Sequence, residues 1–136
     1  MENSQKQRWS QWRRLQHEFG CFLIVGSTAA CVHFGILWLG VVRLKLEGTL
    51  STTLGFIIAY VVSYILNYFW TFKSKASHGV AFFRFVLIAV CGSLLNALIF
   101  AGVKYGFDTH FLLAQVAATG IVLFWNFSLY RIWAFR

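Results

Sequence analysis

Proline is absent from the 136 residues and charge is scarce, because lysine, arginine, aspartate and glutamate make up only 12% of the chain while hydrophobic residues make up 59%. A soluble domain of ordinary composition is about 25% charged. The chain therefore has too few charges to cover a water-facing surface, which excludes a disordered protein, a soluble enzyme and a secreted disulfide scaffold. The composition predicts an integral membrane protein.

Cysteine is also rare. The three cysteines, Cys21, Cys31 and Cys91, all lie in apolar stretches, and no C-x-x-C motif exists. We therefore expect small packing residues rather than a disulfide framework, and no metal site.

Four apolar runs are long enough to cross a bilayer, whose core of about 30 Å needs about 20 helical residues. They are Phe19–Val42, Leu50–Phe72, Phe85–Val103 and Phe111–Tyr130. The runs are continuous rather than alternating, which favours helices over barrel strands. The sequence predicts an all-α polytopic membrane protein with four transmembrane helices, joined by short connections at Arg43–Thr49, Lys73–Ala81 and Lys104–His110.

Basic residues flank the apolar runs unevenly, so we interpret them as topology signals rather than as a nucleic-acid surface. One predicted face carries nine, namely Lys6, Arg8, Arg13, Arg14, Lys73, Lys75, Arg84, Arg131 and Arg136. The other face carries three, namely Arg43, Lys45 and Lys104. The positive-inside rule places both termini and the central loop in the cytoplasm. Residues 1–18 form a basic tail, either an interfacial helix on anionic lipid or an unstructured segment.

The two halves of the chain resemble each other at an offset of 63 residues, at which Phe22 meets Phe85 and Trp70 meets Trp133. We predict two parallel copies of a helix–loop–helix unit, residues 19–73 and 82–136. The alternative is two unrelated hairpins with similar hydropathy.

Polar side chains inside the spans are candidate substrate contacts, because polar groups in lipid usually face the protein interior or a wet cavity. They are His33, Asn67, Asn96 and Asn126. The alternative is that they join helices by hydrogen bonds, at roughly 0.6 kcal/mol each.

Cations and aromatic residues gather at the predicted cytoplasmic interface. Arginine binds phosphate through a planar fork, and aromatic rings at this depth can stack on a sugar. The candidates are Lys73, Arg84, Arg131 and Arg136, with Trp70 and Trp133. The alternative is an ordinary aromatic belt with positively charged anchors.

Carboxylates are missing from the predicted spans, since Glu2, Glu18, Glu47 and Asp108 all lie outside them. No nucleophile with a base, paired carboxylates or phosphate-cradling glycine loop stands out, so we expect a protein that is not an enzyme. A small multidrug-type transporter is a less favoured alternative, because its first-span carboxylate is absent.

The pattern resembles the GtrA-like family of small four-span membrane proteins. In the first half the resemblance rests on F-x-x-F-L-I-V-G (19–26) and S-Y-I-L-N-Y-F-W-T-F-K (63–73). In the second half it rests on F-F-R-F-V-L-I (82–88) and W-N-F-S-L-Y-R-I-W-A-F-R (125–136). It covers residues 19–136.

The resemblance implies a role in cell-surface polysaccharide modification in a bacterial cytoplasmic membrane. The implied activity is movement of a polyprenyl-phosphate-linked monosaccharide from the cytoplasmic to the outer leaflet, with no cofactor and with a membrane glycosyltransferase as a possible partner. A non-transporting scaffold that anchors such a glycosyltransferase remains an alternative. Since four spans barely enclose a polar path, we also expect a homo-oligomer in contact with membrane lipid.

Overall fold

A computed structural model describes residues 2–106 and 110–136, without the side chains of residues 2–4 and 6. Asp108 and the side chains of Glu2 and Lys6 thus lie outside the described part. The described chain forms four α-helices, namely α1 (Glu2–Trp38), α2 (Gly48–Leu66), α3 (His78–Gly106) and α4 (Phe111–Leu129). Short π-helical turns extend three of them, namely π1 (Leu39–Arg43), π2 (Asn67–Thr71) and π3 (Tyr130–Ala134).

All four helices are long and apolar enough to cross a membrane. The predicted all-α class with four membrane-spanning helices is therefore confirmed. The physical cause is that a backbone in lipid must satisfy its own hydrogen bonds, and a proline-free apolar run does so as a helix.

The helix boundaries differ most from the predicted spans at the starts of α1 and α3. Helix α1 runs without a break from the basic tail into the first span, so the tail is helical in its described part. Helix α3 begins at His78, ahead of the predicted Phe85, since the backbone N–H of Ala81 already donates to the carbonyl of Ser77 at 2.9 Å.

The π-helical turns end in a wide hydrogen-bonded loop. The N–H of Phe72 donates to the carbonyl of Asn67 at 2.9 Å, five residues back, and the N–H of Phe135 donates to that of Tyr130 at 3.1 Å. Lys73, two residues past the end of π2, has a left-handed φ of 46°, and Lys45, two residues past the end of π1, has a φ of 55°. These lysines carry the backbone strain at which the chain leaves each helix.

The chain divides into two compact units, unit 1 (Met1–Lys73) and unit 2 (Ser74–Arg136). In unit 1, α1 packs against α2 and π2, and in unit 2, α3 packs against α4 and π3. Helices α2 and α4 start 63 residues apart, as do π2 and π3. The predicted repeat has this same offset and stays a prediction, as does the orientation of the termini.

Each unit buries a narrow seam of side chains and exposes most of its large apolar ones. At the predicted cytoplasmic end of unit 2 the seam is aromatic, with Phe85 stacked on Tyr130 at 4.9 Å between ring centroids and Phe135 tilted against both. An apolar exterior is what a chain solvated by lipid requires.

Candidate functional site

His33 lies in the seam of unit 1, where α1 and α2 approach closely. A Cβ on Gly55 would lie 2.9 Å from the His33 carbonyl oxygen and 3.0 Å from Nδ1. The ring also packs on Phe56, with 4.1 Å between centroids. The buried Nδ1 has no hydrogen-bond partner among the described residues. The absence of a side chain at Gly55 thus leaves the space that the His33 ring occupies between the helices. A role of His33 toward a substrate stays a prediction.

Asn67 and Thr71 are buried at the predicted cytoplasmic end of unit 1. The Asn67 amide nitrogen donates to the Ser63 carbonyl at 2.9 Å and to the Ser63 hydroxyl at 3.3 Å. Asn67 Oδ1 and Thr71 Oγ1 are buried with no hydrogen-bond partner in the described part of the chain. Because buried acceptors usually find a donor, a water or a ligand hydroxyl suits this position. Trp70 and Lys73 nearby in sequence are exposed.

Glu18 is also buried at this end, although the sequence places it just outside the first span. Its Oε1 accepts from Arg14 Nε at 2.7 Å, one helical turn away. On the same helix, Cys21 Sγ lies 3.8 Å from both ring nitrogens of His17. Sequence reasoning missed this cluster; the i, i+4 spacing of Arg14 and Glu18 is the signal that points to the pair.

Unit 2 is apolar at the corresponding positions. Sixty-three residues after Glu18, Asn67 and Thr71 stand Ala81, Tyr130 and Ala134, all buried. The polar cluster at the predicted cytoplasmic end is therefore a property of unit 1 alone within the described residues.

Asn126 lies in the seam of unit 2 against a glycine. A Cβ on Gly92 would lie 2.5 Å from Asn126 Oδ1 and 3.2 Å from Nδ2. Oδ1 is buried and has no hydrogen-bond partner among the described residues. Gly92 therefore makes the room that an asparagine requires between α3 and α4.

A row of polar side chains, here called the α4 lane, follows one face of α4: Gln115, Thr119 and Asn126. At 100° per residue, these three positions fall within about 40° of one another. The Gln115 amide nitrogen donates to Thr119 Oγ1 at 2.9 Å and to Asn96 Oδ1 on α3 at 3.4 Å. Gln115 and Thr119 are exposed on unit 2, and Asn96 is half-buried. Asn126 in the lane and Asn96, which Gln115 contacts, are predicted site residues. Gln115 and Thr119 are not among the predicted candidates.

Arg84 holds the end of π3 within unit 2. Its Nη1 donates to the carbonyl of Trp133 at 2.9 Å, and its guanidinium lies 5.3 Å from the centroid of the Trp133 ring. Arg84 therefore caps the end of π3, because it donates to a Trp133 carbonyl that has no partner within the helix. Whether either contacts a substrate stays a prediction. Arg131 is half-buried on π3, and Arg136 is exposed.

The helical tail presents two tryptophans to its surroundings, Trp9 at 66% exposure and Trp12 at 58%. With Arg8 and Arg13 they line an open groove of about 600 Å³.

Among the described residues, no group of three histidine, cysteine, aspartate or glutamate side chains is arranged to hold a metal.

Residues 21–135 match the model of a family described as "GtrA/DPMS, transmembrane domain". The matched range includes all four membrane-spanning helices beyond the basic tail. No curated protein matches the chain at a significant level.

Proposed function

The chain belongs to the GtrA/DPMS transmembrane-domain family, and from this premise we propose that it moves a polyprenyl-phosphate-linked monosaccharide from the cytoplasmic to the outer leaflet of a bacterial cytoplasmic membrane. The product would supply cell-surface polysaccharide modification. In this proposal the protein is a carrier and not an enzyme. The match over residues 21–135 is the observation that carries the proposal, since it covers the spans themselves.

The α4 lane supports a path for the sugar. Gln115 and Asn126 are 11 residues apart, about 16 Å along a helix, which is roughly half of a bilayer core. The amide of Gln115 and the hydroxyl of Thr119 are exposed, and exposed polar groups are costly in lipid, so something covers them. A sugar passing along α4 would exchange hydrogen bonds with these two groups, while its prenyl chain stays in the lipid. A second copy of the chain would complete the lane.

The basic residues support a site for the phosphate where the sugar enters. Arg131, on π3, follows Asn126 by five residues, and in this proposal the two flank one cargo. A guanidinium at this level reaches the interface by snorkelling and can bind a phosphate there.

The test is leaflet exchange in proteoliposomes that contain fluorescent synthetic polyprenyl-phosphate sugars, with an impermeant quencher added outside. The protein should make the inner pool of label accessible within the time in which empty vesicles retain it. Thr119→Val, which removes one hydroxyl of the lane, should slow exchange about fivefold, the worth of one hydrogen bond. Thr53→Val is the matched control: Thr53 is exposed on α2, and its hydroxyl donates to its own helix at 2.8 Å.

Arg131 variants separate phosphate recognition from charge. Arg131→Lys keeps the charge but loses the fork, so it should insert normally and lose much of its exchange activity, and Arg131→Ala should lose more. Full exchange in the lysine variant would refute forked recognition.

Absence of exchange by a folded wild-type protein, with every sugar tested, would refute translocation. Retention of a glycosyltransferase in pull-down from the same membranes would then favour the scaffold.

A further inference from the structure

Arg14 and Glu18 form an ion pair whose two members have opposite surroundings. The side chain of Glu18 is 7% exposed, whereas that of Arg14 is 73% exposed, and 2.7 Å separates Nε from Oε1. A buried carboxylate thus holds the Nε edge of a guanidinium that belongs to a mostly exposed side chain.

Such an arrangement preorganises the arginine. A guanidinium has five N–H donors in one plane, and fixing its Nε fixes the direction in which the terminal nitrogens point. Since the side chain is already ordered by Glu18, an anion that binds at the outer edge orders little more. The fork of terminal nitrogens matches two oxygens of a phosphate.

The height of Arg14 along α1 indicates where that phosphate would be. Arg14 precedes Phe19, the first residue of the predicted span, by five residues, about 7.5 Å along the helix. The headgroup layer extends about 5–7.5 Å beyond the hydrocarbon core on each side. The backbone of Arg14 therefore lies at the outer edge of the predicted cytoplasmic headgroup layer, and its long side chain brings the guanidinium within reach of the lipid phosphates.

The second unit shows that packing alone does not need this pair. Sixty-three residues after Arg14 and Glu18 stand Ser77 and Ala81, and Ala81 is completely buried without any charge. Burial of a carboxylate is costly unless it is paired, and a membrane anchor gains nothing from a buried acid. A role in orienting Arg14 explains why unit 1 keeps one.

We propose that Arg14 binds the phosphate of a membrane lipid at the cytoplasmic interface, with Glu18 as the positioning residue. Resting on the proposed function, the lipid is the polyprenyl-phosphate cargo, and Arg14 is part of its entry site. A phospholipid of the leaflet carries the same chemistry, and the experiment distinguishes the two.

The experiment measures binding, without transport, to the full chain in phosphatidylcholine nanodiscs. The probes are a fluorescent polyprenyl monophosphate, the matching uncharged polyprenol, and a fluorescent phosphatidylglycerol. Arg14→Gln should weaken polyprenyl-phosphate binding about tenfold, the worth of a charge-assisted hydrogen bond, and leave polyprenol binding unchanged. The neighbouring, exposed Arg13 provides the matched control, because Arg13→Gln removes the same charge and should change affinity less than twofold.

Glu18→Gln is the decisive variant. Removing a negative charge strengthens phosphate binding if only net charge matters, whereas loss of the positioning contact weakens it. We expect a weakening of about threefold, from a neutral contact replacing a charged one. Glu18→Ala, which places the residue of unit 2 at this position, gives a second test should the glutamine variant fold poorly.

Equal effects of Arg14→Gln and Arg13→Gln, or tighter binding in both Glu18 variants, would overturn the proposal. Weakening with polyprenyl phosphate alone identifies the cargo as the ligand. Equal weakening with phosphatidylglycerol identifies a general lipid-phosphate site and refutes the cargo assignment. Because no transport is measured, loss of phosphate binding is distinguishable from failure of leaflet exchange.

Discussion

Replacement of Gly92 by alanine tests how α3 and α4 meet. The added Cβ would lie 2.5 Å from Asn126 Oδ1 and 3.2 Å from Nδ2, closer than non-bonded carbon and oxygen atoms approach. Either the Asn126 side chain leaves its rotamer or the helices separate by roughly half an ångström or more. Neither is without cost in a close-packed seam.

The magnitude follows from two opposing terms. Overpacking of a filled seam lowers the free energy of unfolding by about 1–3 kcal/mol. Replacing glycine by alanine inside a helix raises it by up to about 1 kcal/mol. We expect a net loss of about 1 kcal/mol in the free energy of unfolding. Gly120→Ala on α4 is the matched control, because no atom lies within 4 Å of its added Cβ, and it should be neutral or stabilising.

The offset of 63 residues supplies a compensating change. The positions equivalent to Gly92 and Asn126 in unit 1 are Ala29 and Ser63, so unit 1 has a larger residue at the first position and a smaller one at the second. Gly92→Ala combined with Asn126→Ser should therefore recover most of the lost stability, with a coupling of about 1 kcal/mol in a double-mutant cycle.

Unfolding by sodium dodecyl sulfate in mixed micelles, followed by tryptophan fluorescence, measures the wild type, the single variants Gly92→Ala, Asn126→Ser and Gly120→Ala, and the double variant. Wild-type stability in Gly92→Ala, or additive effects of the two changes in the double variant, would refute the close approach of Gly92 to Asn126.

Three further predictions concern helix ends and topology. The left-handed backbone at Lys73 and Lys45 is strained for a residue that carries a Cβ, so Lys73→Gly and Lys45→Gly should each raise the free energy of unfolding by about 0.5–1 kcal/mol. Only Lys73→Gly should slow leaflet exchange if its charge faces the cargo. Unchanged stability in both variants would contradict the strain argument. Cysteines at Ser77 and Thr49 should react with an impermeant maleimide from the cytoplasmic and the outer side respectively, and the reverse pattern would contradict the positive-inside assignment. Arg84→Gln should destabilise unit 2 by about 1 kcal/mol by uncapping the carbonyl at the end of π3, whereas an arginine that served the cargo alone would leave stability unchanged.

The four helices were predictable because hydrophobic length is a property of the sequence itself. Helix α4 starts at the predicted Phe111 and ends at Leu129, one residue before the predicted Tyr130. A bilayer leaves an apolar run no other backbone arrangement, so local composition decides the element.

The side-chain partners were less predictable because they depend on how the helices cross. Only the crossing of α3 and α4 decides that Gly92 faces Asn126. The burial of Glu18 is a similar case, since it depends on α1 continuing as a helix past the membrane edge and packing against π2. Hydropathy placed that carboxylate outside the predicted spans, at the end of the basic tail.

Arg84 shows a third limit. A positive residue at a membrane interface predicts an anchor or an anion site, and the sequence contains no signal that π3 ends with a carbonyl within its reach. The contact of 2.9 Å with Trp133 arises from the π-helical ending, whose wide hydrogen-bonded loop is not encoded by a recognisable motif.

Because α1 is one continuous helix, the tail and the first span move together as a rigid unit. Residues 2–18 extend about 25 Å beyond the predicted span at 1.5 Å per residue. A change of 10° in the tilt of the span would therefore displace the tip of this rod sideways by about 4 Å, on the geometry of a rigid helix. The tail therefore amplifies the tilt of the first span. A spin label at Gln5, outside the membrane, would report that tilt as a sideways displacement.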